Sequence, residues 1–318
     1  MEKKNSIGVD LGGTKVKFGI VTQEGEVLKE LVLPTLANEG VDKSLNQIKK
    51  GIRELLEESD RSTILGIGIG APGVVCLKQG TVENPPNLCG WDRVHLGKIM
   101  QDEFSLPVFV ENDANAAAIG ELIYGNAKDV ESFIMVTLGT GVGGGIIYKR
   151  KLFRGDTGAA GEIGHITIDS NGPKCKCGSY GCLETYLGNN YIIENVRKEL
   201  KNNKESLIYK LTDNNLSNLT PKIIHEAALL KDNFSKKVIE RLGETLGYGL
   251  ASIVNVFDIT NIVIGGGVAG FGEPLLKATE ESIKSRVLKS LSDRVKVIKS
   301  SLGNKAGTEG AASLVFYS

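Results

Sequence analysis

The sequence has no net charge and no long apolar run, and these two absences narrow the classes of protein that it can encode. Lysine plus arginine and aspartate plus glutamate each number 38, so the formal net charge at pH 7 is zero. A neutral chain gives no electrostatic reason to expect a nucleic-acid or membrane partner. The best apolar run, LGYGLASIVNVF at 246–257, is too short to span a bilayer.

Features of a secreted protein are also scarce. The N-terminus, MEKKNSIGVDLGG, lacks the apolar core of a signal peptide because Asp10 interrupts it. Five cysteines are an odd count, which without a secretory signal disfavours a disulfide framework. We therefore expect a cytoplasmic protein. Aromatic residues make up only 6%, whereas the 40 glycines cluster in short runs, as is typical where backbone must approach a ligand.

Apolar runs with the length of strands alternate with helical stretches, which predicts an α/β protein. From 186 to about 257 the pattern is mostly helical, and Thr220-Pro221 predicts the start of a helix. The runs that predict strands are IGVDLGG, VKFGIV, ILGIGIG, PVFVEND, FIMVTLG, GGGIIY, HITID, NIVIGGG and RVKVIKS.

The first segment of the chain is weakly repeated further along the sequence. IGVDLGGTKVKFGIV resembles FIMVTLGTGVGGGIIY, which lies 127 residues further on, since each is a strand, a Leu-Gly turn with threonine and a second strand. Such a repeat suggests two related α/β halves that each open with a hairpin. We expect the boundary near Asp113.

The pattern GxGxxG occurs three times, yet its context argues against a dinucleotide site. Only the match at Gly265 lies between a strand and a helix, and the next strand, RVKVIKS, ends without an acidic residue to hold a ribose hydroxyl. The sequence also has no GxxxxGK[ST] motif, so a P-loop is excluded.

Two glycine hairpins are instead candidates for phosphate binding, because successive backbone N–H groups in a tight turn can form an anion-binding nest. The alternative is that these glycines only permit tight turns. Asp10 precedes the first turn, where a carboxylate could hold Mg²⁺ through water. The candidate residues are Gly12, Gly13, Thr14 and Lys15 in the first turn, and Gly139, Thr140 and Gly141 in the second.

Asn112 and Asp113 follow a predicted buried strand and begin the ANAAA helix. Both residue types are favoured helix N-caps. A carboxylate at the end of a strand also suits a general base, and one residue can serve both purposes.

Three cysteines and a histidine share one glycine-rich loop. Cys175, Cys177 and Cys182 with His165 form a Cys₃His set, which suits a closed, structural Zn²⁺ site. Buried free thiols or a redox pair are the alternatives, and the density of cysteines in a polar loop disfavours both. Cys76 and Cys89 lie outside this pattern and are predicted to be ordinary thiols.

Six motifs in order resemble the ROK family of sugar kinases and sugar-responsive repressors. The resemblance implies an actin-like ATPase (ribonuclease H-like) fold, with two α/β lobes around a central cleft: residues 1–113 plus about 303–318, and residues 114–302. The motifs are DLGGTK at 10–15, ENDANAAA at 111–118, TLGTGVGGG at 137–145, GEIGH at 161–165, CKCGSYGCLE at 175–184 and IGGGV at 264–268.

The resemblance also implies roles for individual residues. Asp113 would take the proton from a sugar hydroxyl, and ATP with Mg²⁺ would bind between the two hairpins. A homodimer or a dimer of dimers is implied as well. The residues expected to bind the hexose are Asn112, Glu162, His165 and Glu184, and those expected to lie around the adenine are Gly265, Gly266 and Gly267.

The family contains repressors as well as kinases. Because DLGGTK begins within ten residues of the start, we expect no preceding helix-turn-helix, and the neutral charge agrees. Within the family the motifs look most like those of bacterial glucokinases, although Lys305 replaces an acidic residue common there. We predict phosphorylation of glucose at its 6-hydroxyl by ATP. N-acetylmannosamine kinases and polyphosphate as donor remain the alternatives.

Overall fold

The computed structural model describes residues 4–76 and 79–317, so the extreme ends of the first predicted lobe, 1–3 and 318, lie outside the described residues. The chain forms two compact units. The first comprises Met1–Glu131, Gly145–Gly161 and Ser301–Ser318, and the second comprises Ser132–Gly144 and Glu162–Ser300. The first unit thus runs past Asp113, where the sequence suggested a boundary, and the lobe boundaries stated above stay a prediction.

The strands in the described part of the chain are short to medium in length. They are β1 (Asn5–Leu11), β2 (Lys15–Thr22), β3 (Val27–Pro34), β4 (Ile64–Ala71), β5 (Val74–Cys76), β6 (Thr81–Glu83), β7 (Arg93–Val94), β8 (Val108–Asn112), β9 (Phe133–Leu138), β10 (Val142–Tyr148), β11 (Lys151–Leu152), β12 (Asn261–Gly265) and β13 (Lys296–Lys299).

The α-helices range from single turns to the long helix α8. They are α1 (Val41–Glu57), α2 (Leu96–Phe104), α3 (Asp113–Ile123), α4 (Glu184–Leu187), α5 (Asn189–Leu200), α6 (Ile208–Leu211), α7 (Pro221–Leu229), α8 (Asn233–Phe257), α9 (Glu273–Lys284), α10 (Lys289–Ser292) and α11 (Ala306–Ser313). Among the described residues, none of these helices combines the length and apolarity needed to cross a bilayer.

The first unit is built on a mixed sheet with the order β3-β2-β1-β4-β8. Strands β1, β2 and β3 pair in antiparallel fashion, whereas β1 pairs in parallel with β4 and β4 with β8. The register aligns Asp10 with Gly70, and Gly70 with Glu111. The carboxyl ends of the three parallel strands therefore meet at one edge, which is where ligands bind in α/β sheets.

Alternation along the strands gives this sheet two different faces. Ile7 and Val9 of β1 belong to the same buried cluster as Ile48 and Ile52 of α1. The intervening glycine, Gly8, faces α11 instead, since its missing side chain would overlap the carbonyl oxygen of Thr308.

Helix α11 lies unusually close to the sheet because glycines supply the contact surface. A methyl group at Gly68 of β4 would overlap the carbonyl oxygen of Ala311, and one at Gly310 would lie 2.5 Å from the carbonyl oxygen of Ala116 in α3. Backbone therefore packs directly on backbone, which only glycine permits. The same packing holds α3, which carries the candidate catalytic residue.

In the second unit β12 lies between β9 and β13 and is parallel to both. Helices α8 and α9 pack against each other. Thr220 caps α7 by accepting a hydrogen bond from the N–H of Ile223, and Pro221 is the first helical residue, as predicted. Strand β10 begins in the second unit and ends in the first.

The prediction of a strand at HITID is wrong. Its first residue ends a 3-10 helix, Ile163–His165, and only Thr167 forms an isolated bridge, with Cys182. The physical reason is that the segment has only a short partner. It pairs with the cysteine loop, and that loop continues into α4 after Leu183, which leaves no room for a longer ladder. Strand β3 was not among the strands predicted from the sequence.

Replacing Gly68 by alanine should destabilise the first unit, because the methyl group must displace α11. Overpacking of this kind costs about 1–3 kcal/mol, measurable as a lower midpoint in denaturant unfolding. Gly270→Ala is the control, because a side chain there would meet nothing within 4 Å. Equal stability of the two variants would refute the close packing of α11.

Candidate active site

The first glycine turn joins β1 to β2 at the edge where the parallel strands end. The N–H of Gly12 donates to the carbonyl of Lys15 at 3.1 Å, and a side chain at Gly13 would lie 2.7 Å from Cβ of Asn87. Thr35, fully buried, donates through its hydroxyl to the carbonyl of Gly12 at 2.6 Å. Sequence reasoning missed Thr35, which the end of β3 places beside the turn.

Thr14 and Lys15 at the tip of this turn are exposed and so available to an anion. Asp10 lies near the end of β1 and forms an ion pair with Lys17 of β2, with 3.3 Å between Nζ and Oδ2. A side chain at Gly307 of α11 would overlap the Asp10 carboxylate. The carboxylate is thus held between a lysine and the start of α11.

Asn112 and Asp113 lie at the same edge, where β8 meets α3. Asn112 is the N-cap: its Oδ1 accepts hydrogen bonds from the N–H groups of Ala114 (2.9 Å) and Asn115 (3.2 Å). Its Nδ2 donates to the carbonyl of Gly73 at 3.1 Å, and the second hydrogen of that amide can be given to a ligand. Asp113 is exposed and is the first residue of α3.

The structure therefore gathers the predicted residues of the first unit at one sheet edge. Asp10 aligns with Gly70, and a side chain at Gly70 would lie 3.6 Å from Cα of Asp113. Strand alternation and parallel pairing alone produce this arrangement.

The second glycine turn, between β9 and β10, is the meeting point of several segments in the second unit. The N–H of Gly139 donates to the carbonyl of Gly141 at 3.0 Å, and the carbonyl of Gly139 accepts from the N–H of Asn189 at 2.9 Å. Glu184 accepts a hydrogen bond from the N–H of Val142 at 3.0 Å. A side chain at Gly141 would overlap the Glu184 carboxylate.

The turn after β12 approaches the same place. Gly266 has φ +85° and a side chain there would overlap the carbonyl oxygen of Leu138, the last residue of β9. Gly265 aligns with Thr137, and Gly267 is open, with nothing within 4 Å of a hypothetical side chain. The residues expected around the adenine thus lie beside the second glycine turn, which carries Thr140.

Glu162 precedes a 3-10 helix that ends with His165 and packs on the same turn. A side chain at Gly164 would overlap the carbonyl oxygen of Val142, so the two backbones touch. Burial of its carboxyl group raises the pKa of Glu162, although the residue keeps exposed surface; nearby His165 lowers this pKa and nearby Glu184 raises it. Within the second unit the three predicted sugar ligands are therefore electrostatic neighbours.

The Cys₃His set is assembled as well. The ligand atoms of His165, Cys175, Cys177 and Cys182 all lie within 4.8 Å of one another. Nδ1 of His165 is 3.8 Å from Sγ of Cys175, and the sulfurs of Cys177 and Cys182 are 3.7 Å apart. Tetrahedral zinc with Zn–S bonds of about 2.3 Å places neighbouring ligands about 3.7 Å apart, so these residues fit the ion.

The pKa values of the three thiols indicate why a cation would stabilise this cluster. Burial raises the pKa of Cys182 to about 12 and also raises that of Cys175, whereas the pKa of Cys177 is lowered chiefly by a backbone hydrogen bond from Ser179. Three thiolates so close together would need positive charge, which a bound Zn²⁺ would supply while the thiol protons leave.

Each unit has a glycine turn at the end of a strand, with a carboxylate beside it. This arrangement is typical of α/β proteins with an actin-like ATPase fold, and comparison with known proteins supports this class. The crystal structure of a ROK family glucokinase from Streptomyces griseus in complex with glucose and AMPPNP matches with a TM-score of 0.87 at 35% identity, covering 98% of each chain. Residues 6–317 match the ROK family. The chain belongs to this family, which confirms the predicted fold class and resemblance.

The proteins with similar sequences include both an enzyme and a repressor. The glucokinase of Thermotoga maritima is 34% identical over 315 residues, which are 99% of this chain and 98% of that protein. The xylose repressor of Caldicellulosiruptor bescii is also 34% identical over 315 residues, which are 97% of this chain and 77% of the repressor.

Cys177→Ser should remove a zinc ligand and loosen the 3-10 helix that carries His165. We expect metal analysis to give about one zinc per chain in the unaltered protein and well below one in the variant. The melting temperature should fall by about 4 °C or more, which corresponds to about 1–2 kcal/mol in a chain of this size. Cys89→Ser, an exposed cysteine outside the cluster, is the control. A zinc-free protein with the full melting temperature would contradict the metal assignment.

Proposed function

We propose that this protein is an ATP-dependent hexose kinase that phosphorylates glucose at its 6-hydroxyl. The observation that carries the proposal is the exposed carboxylate of Asp113, which directly follows the carboxyl end of β8 in the sheet of the first unit. The proposal is further supported by 34–35% identity to bacterial glucokinases along nearly the whole chain.

In the proposed reaction the 6-oxygen of glucose attacks the γ-phosphorus of ATP, and the bond from that phosphorus to the β-phosphate oxygen breaks. Asp113 accepts the hydroxyl proton, so glucose 6-phosphate and ADP leave. Phosphoryl transfer needs mainly positioning and charge neutralisation from a protein. A carboxylate just after the carboxyl end of a strand, where ligands bind in α/β sheets, is well placed for this base role.

The sugar would be held by hydrogen bonds from several sides. Asn112 can donate the second hydrogen of its amide, and Glu162 and Glu184 can accept from hydroxyls. With Nδ1 of His165 facing Sγ of Cys175, its Nε2 would be left for the sugar, because each ring nitrogen can serve a different partner. Zinc would then act structurally, by fixing the turn that carries Glu162 and His165.

The nucleotide would lie along the two glycine turns. The tip residues Thr14 and Lys15 and the N–H groups near Thr140 would meet phosphate oxygens, and the open surface at Gly267 would admit a flat base. Asp10 would hold the Mg²⁺ that accompanies ATP and neutralises phosphate charge. A homodimer or dimer of dimers stays a prediction.

A regulatory role without catalysis is the second candidate, because one xylose repressor, that of Caldicellulosiruptor bescii, has the same 34% identity as the Thermotoga maritima glucokinase. A gel shift with duplex DNA at low salt separates the two functions, since even non-specific DNA binders show affinity there. Sugar-dependent DNA binding without phosphoryl transfer would favour the regulator.

Asp113→Asn should leave sugar binding within about tenfold while kcat falls at least about a hundredfold, the usual scale for loss of a general base. The isosteric change keeps the helix start but removes the proton acceptor. Steady-state kinetics with a coupled ADP assay checks this. Asp102→Asn, at an exposed site on α2, is the matched control, and near-normal turnover of the Asp113 variant would remove Asp113 from the mechanism.

Glucose should be preferred over N-acetylmannosamine, the substrate of the rival kinases. Because a site built from hydrogen bonds rejects analogues that leave its polar groups unpaired, a sugar panel that varies one hydroxyl at a time maps the site. The measurement is kcat/KM for each sugar with ATP and Mg²⁺. A higher value for N-acetylmannosamine than for glucose would overturn the glucose assignment.

A further inference from the structure

Glu111 lies directly before Asn112 and Asp113, and its side chain is 3% exposed. Its Oε1 accepts hydrogen bonds from the N–H of Asn112 (3.0 Å) and from Nδ2 of Asn115 (3.1 Å). Its Oε2 accepts from Nε of Arg154 at 2.8 Å. A carboxylate is costly to bury, and here one cation and two neutral donors compensate that cost.

The two neutral donors lie at the start of α3, one at its N-cap and the other in its first turn. Glu111 fixes the backbone of Asn112 and, one turn further on, the side chain of Asn115, which is 2% exposed. Asp113 lies between these two points. The orientation of its Cα–Cβ bond therefore depends on where Glu111 holds the backbone.

Arg154 is itself held in place by the chain around it. The N–H of the preceding residue, Phe153, donates to the carbonyl of Ile146 in β10 at 2.8 Å, and the carbonyl of Arg154 accepts from Ala160 at 3.2 Å. Arg154 and Glu111 both line a cavity of about 680 Å³.

We propose that Glu111 and Arg154 form a positioning pair for the base: Arg154 neutralises the buried carboxylate, and the carboxylate sets the backbone from which Asp113 reaches the sugar hydroxyl. This inference rests on the proposed kinase function and adds two residues that act through Asp113 without touching the substrate. A shift of about 1 Å in a reacting group can cost about a hundredfold in rate.

The test compares Arg154→Met, Glu111→Gln and the double variant. Arg154→Met leaves a buried carboxylate without its cation, so kcat should fall at least about tenfold. KM for glucose should change less than about threefold, because Asn112 keeps its bond to Gly73. The double variant should recover kcat to within about threefold, since glutamine still accepts from Asn112 and no charge remains uncompensated.

Two further measurements separate positioning from general stability. Arg53→Met removes an exposed ion pair with Glu103 in the same unit and should change kcat less than about twofold. Amide hydrogen exchange at Asn112 should become faster in Arg154→Met and return toward normal in the double variant. All rates are measured well below the melting temperature of each variant.

Three results would overturn the inference: kcat within twofold in Arg154→Met, a double variant as slow as the single one, or unchanged exchange at Asn112. If the unaltered protein phosphorylates no sugar, the kinase proposal fails. The exchange at Asn112 then decides alone whether Glu111 and Arg154 hold this turn.

Discussion

Crowding of backbone around the turn between β9 and β10 is the constraint on which the second unit's candidate site depends. Side chains at Gly141, Gly164 and Gly266 would overlap Glu184, Val142 and Leu138 respectively. Because glycine leaves room at each point, three segments distant in sequence converge on one turn. The hydrogen bond from Val142 to Glu184 then joins the proposed phosphate turn to a proposed sugar ligand.

In the first unit, buried polar groups hold the turns of the candidate site in place. Thr35 holds the glycine turn, and Glu111 holds the start of α3, so neither turn depends on apolar packing alone. Satisfied polar groups are directional and leave one arrangement of the backbone. A single fixed arrangement of the backbone suits a site in which a base must lie within hydrogen-bond distance of a hydroxyl.

Short motifs predicted which residues come together locally, whereas contacts between distant parts of the chain were not predictable. The Cys₃His set and the cap at Asn112 lie within short stretches whose spacing already limits their geometry. Thr35 and Arg154 are ordinary residues in sequence, and they matter only because the sheet brings them to Gly12 and Glu111. HITID shows the converse, since its β-branched pattern lacks a partner long enough to make it a strand.

The central claim is that the chain transfers a phosphoryl group from ATP to a hexose hydroxyl. Phosphorus and carbon NMR of a reaction with ATP, Mg²⁺ and glucose labelled with ¹³C at carbon 6 tests this most directly. The account predicts ADP and glucose 6-phosphate in equal amounts, with phosphorus coupling at the labelled carbon. Release of inorganic phosphate without a phosphorylated sugar, for every hexose offered, would contradict it.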